Sequence, residues 1–159
     1  MIRNVTAADF DLIYFLYMHP QINPYLLYEV MDKDTFQPIF NELLAKDIIY
    51  IYEENNEAVG MFKLIQMEHR SSHVGYLGGL AIHPDFAGKG YGKKMMKAII
   101  EQGRQINLLR IELTADVINE KAVGLYEKAG FVKEGILKKY TWLKSENRFL
   151  DEVLMAYLY

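Results

Sequence analysis

Residues 85–94, DFAGKGYGKK, set glycines at alternate positions, Gly88, Gly90 and Gly92, between an apolar strand and a run that reads as helix. Just beyond, Met95, Met96, Ile99 and Ile100 recur at helical spacing, which predicts an amphipathic helix over about residues 90–104. A helix start exposes unpaired backbone N–H groups and the positive end of its dipole, and glycines let an anion approach that backbone. Lys89, Lys93 and Lys94 add positive charge. The spacing is not G-x-x-x-x-G-K-[ST], because Lys94 follows Lys93, and it is not a G-x-G-x-x-G opening a βαβ unit at the first strand. By itself the stretch leaves two readings open, an anion cradle and a structural turn.

Upstream, HVGYLGGLAIHP reads as a strand interrupted at Gly78-Gly79, where paired glycines suggest a bulge or a close backbone approach. Before it, DIIYIYEE and AVGMFKLIQM form a hairpin around Asn55-Asn56. A helix over 35–46 is expected from its pattern, capped by Asp34. The preceding segment, 20–33, is an apolar loop of the kind that lines pockets. The chain starts with a short strand and a helix capped by Thr6, supported by Asp9, which His19-Pro20 stops after about Met18. Downstream come a strand, LLRIELTA, a helix with Asn119 as N-cap and Gly130 beyond its end, and two closing strands around KSEN. The order β-α-α-β-β-β-α-β-α-β-β predicts a mixed α/β fold with helices for both faces of one sheet.

The length of 159 residues suits a single domain over 1–159. Apolar residues at 51% and charged residues at 25% mark a folding chain, and a net charge of −3 gives no general attraction for nucleic acid or anionic lipid. With no cysteine there is no disulfide or thiolate chemistry. The four histidines lack ligand spacing, so no metal is expected. No apolar run is long enough to span a bilayer and no signal-peptide pattern opens the chain, so the expectation is a cytoplasmic protein without membrane contact.

HPDFAGKGYGKKMM, followed by NEKAVGLYEKAGF, closely resembles the GNAT superfamily of N-acetyltransferases, and the element order extends the resemblance over essentially the whole chain. It implies an acyl-CoA N-acyltransferase fold, a mixed sheet of about seven strands, with acetyl-CoA as co-substrate. Gly88, Lys89, Gly90, Tyr91, Gly92 and Lys93 would wrap the CoA pyrophosphate, and Leu80 and Ile82 would pair their backbones with pantetheine. Asn119 would help hold the acyl arm, beside its plain role as N-cap. Tyr126 would act as general acid toward the departing thiol, the alternative being a core tyrosine.

Two departures stand out. Ala87 replaces the usual Gln or Arg of the signature, and Gly78 stands where many members carry a glutamate base. Glu112 is one substitute base, although its neighbour Arg110 makes an ion pair the stronger reading, and Glu29 is another. Asp151 either orients the acceptor or is a solvated strand acid. Tyr25, Tyr28, Tyr140 and Trp142, with Glu29, are expected around an acceptor pocket between the 20–33 loop and the last two strands. The implied reaction is direct acetyl transfer to a primary amine of a small molecule or peptide N-terminus. A non-catalytic acyl-CoA-binding module is the alternative. A C-terminal strand edge could support a homodimer.

Overall fold

Hydrophobic periodicity assigns the elements, and the computed structural model, which describes residues 1–159, places them in the predicted order. The strands are β1 (Ile2–Asn4), β2 (Ile49–Glu54), β3 (Glu57–Gln66), β4 (Val74–Ile82), β5 (Arg110–Asp116), β6 (Val132–Leu143) and β7 (Arg148–Leu158). The helices are α1 (Phe10–Met18), α2 (Lys33–Ala45), α3 (Tyr91–Gln105) and α4 (Glu120–Lys128). The strands make one seven-stranded sheet of order β1-β2-β3-β4-β5-β7-β6. Every neighbour is antiparallel except β4 and β5.

Local chemistry explains most boundaries. Asn55 and Asn56 both take positive φ, 53° and 63°, the turn that matches the twist of a two-residue hairpin. The Asp9 carboxylate accepts from the Thr6 N–H at 2.8 Å and is gripped by Arg3 at 2.8 Å, which fixes the turn leading into α1. His19 is extended, as a residue before proline should be, and α1 ends there. The expected cap of α2 shifts by one half-turn. Asp32, not Asp34, accepts from the Thr35 N–H at 2.8 Å, because Asp32 has the extended backbone an N-cap needs and Asp34 lies already within the helix.

Two apolar layers sandwich the sheet. Ile13, Leu16 and Tyr17 of α1 and Phe36, Phe40 and Leu43 of α2 bury against Ile49, Ile51 and Met61 on one face. Met95, Met96 and Ile99 of α3, with Val123 and Tyr126 of α4, cover Phe62, Leu64, Leu77 and Leu113 on the other. Each such side chain, fully buried, stabilises the fold by about 1.5–3 kcal/mol. β3 lies between both layers and is buried along most of its length, so its alternation of polar and apolar residues is nearly absent.

Candidate active site

The site begins as a defect in the sheet. β4 and β5 pair only from Val74 with Arg110 to Tyr76 with Glu112, and beyond that register the strands have no pairing with each other. The cause lies on the other side of β4. Met61 pairs with Ala81 and Lys63 with Gly78, so Gly79 and Leu80 together oppose Phe62 in a β-bulge. Gly79 sits at φ 58°, a left-handed conformation that glycine adopts without strain, and the bulge bends β4 away from β5. The β5-facing backbone of β4 from Leu77 to Ile82 is therefore an open edge, to which an extended chain can add.

That edge forms one wall of a groove of about 680 Å³, also lined by Gly88, Gly90, Gly92, Lys93, Asn119 and Tyr126. The backbone N–H groups from Gly88 to Lys93 find no partner within the chain; the first that does is Lys94, on the Gly90 carbonyl at 3.4 Å. Gly88 and Gly90 take φ 75° and 82°, and a Cβ on either would meet nothing within 4 Å, so open space lies above the donors. Gly92 differs from them: its Cβ would stand 3.3 Å from Leu125, so it chiefly lets α3 approach α4. The side chains of Lys89 and Tyr91 turn from the groove. Lys89 Nζ lies 5.9 Å over the Phe86 ring, and Tyr91 packs edge-on against Phe86 with Lys94 over its own face.

Asn119 plays its cap role, its Oδ1 accepting from the Ala122 N–H at 3.2 Å, and also faces the groove. Tyr126 is 8% exposed and tilts against Phe131 at 6.2 Å. Burial pushes its phenol up to about 12, and the nearby Tyr76 phenol adds to the shift, so the proton stays on Oη throughout the neutral range. Free N–H donors at a helix start, a groove lysine and an unpaired strand edge together fit a diphosphate joined to an amide-bearing arm.

A second cavity, about 200 Å³, lies against Pro24, Tyr25, Leu26 and Leu27 of the loop before α2. It shares Tyr25, Gly78, Gly79, Thr114, Ala115 and Asp116 with the groove, so the two meet where β4 and β5 part. Tyr25 and Tyr140 line it as expected from sequence, but three other expected residues do not. Tyr28 packs into the α1–α2 layer against Tyr17 at 5.1 Å and Phe36 at 6.2 Å. Trp142 packs on Phe149 at 4.6 Å, because both project from the paired ends of β6 and β7. Glu29 Oε1 accepts from the Lys144 N–H at 3.0 Å, tying the loop to the β6–β7 turn.

Glu112 is also held elsewhere. It belongs to the last paired register of β4 and β5, and Arg110 Nε donates to its Oε2 at 2.9 Å while gripping Glu134 with its other nitrogens. Glu112 lines neither cavity. Asp151 accepts from Lys138 Nζ at 2.9 Å and the Lys139 N–H at 2.8 Å, which pins the irregular stretch of β6 and leaves it outside the site. His83 is a turn residue, its Nδ1 accepting from the Asp85 N–H at 3.3 Å. No group of three or more histidine, aspartate or glutamate side chains is placed to hold a metal, and no helix is long and apolar enough to cross a membrane.

The cavity also holds residues that sequence reasoning passed over: Lys63, Tyr76, Thr114, Asp116 and Glu152. The one available signal was Lys63, a single charge in the apolar run MFKLI of a strand covered on both faces.

The sequence profile of the Acetyltransferase (GNAT) family matches residues 11–131. The chain is 28% identical over 143 residues to a spermidine N(1)-acetyltransferase of Vibrio cholerae serotype O1, covering 86% of this chain and 80% of that protein. It is 27% identical over 163 residues to the L-amino acid N-acetyltransferase AaaT of Escherichia coli K12, covering 98% and 96%. Among solved structures, the spermidine N-acetyltransferase of Vibrio cholerae in complex with CoA and spermine superposes with a TM-score of 0.85 at 23% identity, covering 99% of this chain and 94% of that one. The profile spans most of the sequence, and the chain belongs to the GNAT family as an acetyl-CoA-dependent N-acetyltransferase.

Proposed function

We propose that the protein acetylates a primary amine held in the cavity beside the groove, with the transfer taking place where the two spaces meet. The observation that carries this reading is the shared wall, Tyr25, Gly78, Gly79, Thr114, Ala115 and Asp116, which puts two separate binding spaces in contact at the end of the β4–β5 ladder. Bound acetyl-CoA supplies the acetyl thioester. The chain supplies position and a proton donor. Gly88, Gly90 and Lys93 hold the diphosphate, Leu80 and Ile82 offer their backbones to the arm, and Asn119 closes the groove opposite them. Holding both reactants along one cleft removes much of the entropic barrier.

Tyr126 Oη is the proton donor to the leaving sulfur, because its phenol faces the groove and remains protonated up to about pH 12. The amine must lose a proton before attack. Gly78 carries no carboxylate there and Glu112 is committed to Arg110, which leaves Asp116, in the shared wall, as the acid nearest the junction. It accepts one backbone N–H, from Ile118 at 3.1 Å, and keeps lone pairs free for an ammonium or its relay water. The protein is read as a single cytoplasmic domain. The exposed edge of β6, with Val132 and Ile136 in solvent, is the surface for a homodimer, which size-exclusion chromatography with light scattering tests.

The acceptor reading is tested by thiol release from acetyl-CoA over amino acids, dipeptides with free N-termini, polyamines and aminoglycosides. Turnover with at least one primary-amine class is expected. CoA binding with no thiol release across the whole panel would instead make the chain an acyl-CoA-binding module.

A further inference from the structure

Lys63 is 6% exposed, and the only other buried polar residue is Asn23. Asn23 is satisfied, its amide donating to the carbonyls of Tyr17 at 2.8 Å and Tyr28 at 2.9 Å. Lys63 is not. Its ammonium makes no ion pair and no hydrogen bond with the chain, and Nζ lies 5.5 Å over the Tyr28 ring. Burying a lysine without an acid costs several kcal/mol of lost hydration. Burial accordingly pushes its pKa below the usual lysine value, and Lys46 adds to the effect. A second polar group nearby is also unmatched. The Tyr17 hydroxyl is buried without a partner, and a Cβ on Gly79 would meet both Tyr17 Oη at 3.0 Å and Lys63 Cε at 3.2 Å.

The lysine belongs to the acceptor-side cavity, entering from β3, while the carboxylates of that cavity, Asp116 and Glu152, come from paired positions on β5 and β7. Both acids already accept a bond within the chain, Asp116 from the Ile118 N–H and Glu152 from the Thr141 hydroxyl. Neither forms an ion pair with Lys63, whose strand β3 lies two strands from β5 and three from β7. The cavity therefore has a cationic side and an anionic side, and only the anionic side touches the groove, through Asp116.

We propose that the acceptor is a compact amine carrying its own carboxylate, an amino acid or the N-terminal end of a very short peptide, with Lys63 as the group that binds the carboxylate. This rests on the amine-acetylation reading above and narrows it. The ammonium end points toward Asp116 and the thioester, and the carboxylate end completes the hydrogen bonding that Lys63 lacks. The space agrees with such a molecule: about 200 Å³ corresponds to roughly six or seven waters. A polyamine would set a second cation against Lys63 in a poorly hydrated site, where like charges repel most strongly. In this respect the chain departs from the Vibrio cholerae relative solved with spermine.

The experiment compares matched acceptors on the whole enzyme: L-methionine, L-methioninamide and 3-(methylthio)propylamine; L-phenylalanine, its amide and phenethylamine; and spermidine. A charged hydrogen bond to the carboxylate predicts kcat/KM for the acids about 10- to 100-fold above their amides, expressed mainly in KM. Lys63→Met should bring the acid-to-amide ratio close to one, and Lys63→Arg should restore part of it. Removing an unpaired buried charge should also raise the Tm of Lys63→Met above that of the parent without acceptor. Amides equal to acids, spermidine as the best acceptor, or an acid preference that survives in Lys63→Met would each overturn the proposal. Turnover of amines without carboxylate preference overturns this inference alone. If no amine turns over, calorimetry of the enzyme–CoA complex with the same acids and amides decides it separately: acids binding more tightly than amides supports Lys63 as the carboxylate group, and equal or absent binding overturns it.

Discussion

Arg110 Nε lies 2.9 Å from Glu112 Oε2, at the register where β4 and β5 make their last pair, and the same guanidinium holds Glu134 with two further bonds. The guanidinium ties β5 to β6 through Glu134, and the Glu112 carboxylate braces it from its own strand. Glu112→Gln should leave the pH dependence of kcat unchanged and lower unfolding stability by about 1 kcal/mol, since the pair is only partly buried. Urea denaturation and a pH–rate profile check the two halves. A lost acidic limb in the profile would return Glu112 to the role of base.

Tyr126→Phe removes the proposed proton donor while keeping the ring that packs on Phe131. kcat should fall about 100-fold, with the affinity for CoA nearly unchanged. The sign of the pH effect follows from the raised phenol. The protonated form is the active one and persists up to about 12, so activity should rise with pH as the amine deprotonates, with no Tyr126-dependent fall below that point. Steady-state rates between about pH 6 and 10 test this. Equal kcat for both proteins, with chemistry limiting, removes Tyr126 as the acid.

Gly90→Ala places a methyl group in the open space above the unpaired N–H groups, at φ 82°. The left-handed backbone should cost about 1–2 kcal/mol of stability. The methyl group should raise the dissociation constant for CoA about 10-fold by holding the diphosphate off the backbone. Calorimetry with CoA reads the binding and thermal melting reads the strain. Unchanged CoA affinity would mean the diphosphate lies elsewhere.

Asp9 is held down to about 2 from 3.8 by Arg3, helped by the Thr6 N–H and hydroxyl. A depressed carboxyl contributes stability that is present above its unfolded pKa and lost as pH falls through the folded value. Stability should therefore decline between about pH 4 and 2. Asp9→Asn should remove about 1–2 kcal/mol near neutrality, after discounting for the half-exposed Arg3, and flatten that acid slope. Urea titrations at several pH values measure both effects.

Much of this was legible in the residues. The element order, the Asn55-Asn56 hairpin and the bulge at Gly78-Gly79 depend on local backbone preferences, which glycine, asparagine, proline and apolar spacing express directly. The cap of α2 was off by two residues because Asp32 and Asp34 are chemically alike, and only the backbone angle of each selects the cap. Glu29, Tyr28 and Trp142 were plausible cavity residues by type. Their true partners, Lys144, Tyr17 with Phe36, and Phe149, are set by long-range packing or cross-strand pairing.

The sequence by itself determined the family, the glycine-rich start of α3 and the placement of Tyr126 on α4, since each is a run of consecutive residues whose spacing carries its own geometry. Only the tertiary structure decided the second cavity. There the cavity is built from the 20–33 loop, β3, β4, β5, β6 and β7, and a side chain's role depends on which distant group reaches it first. Glu112 is claimed by Arg110, whereas Lys63, within an unremarkable apolar strand, is claimed by nothing. Burial and pairing are properties of the assembled sheet, and they commit one carboxylate to Arg110 and leave one lysine unpaired beside the second cavity.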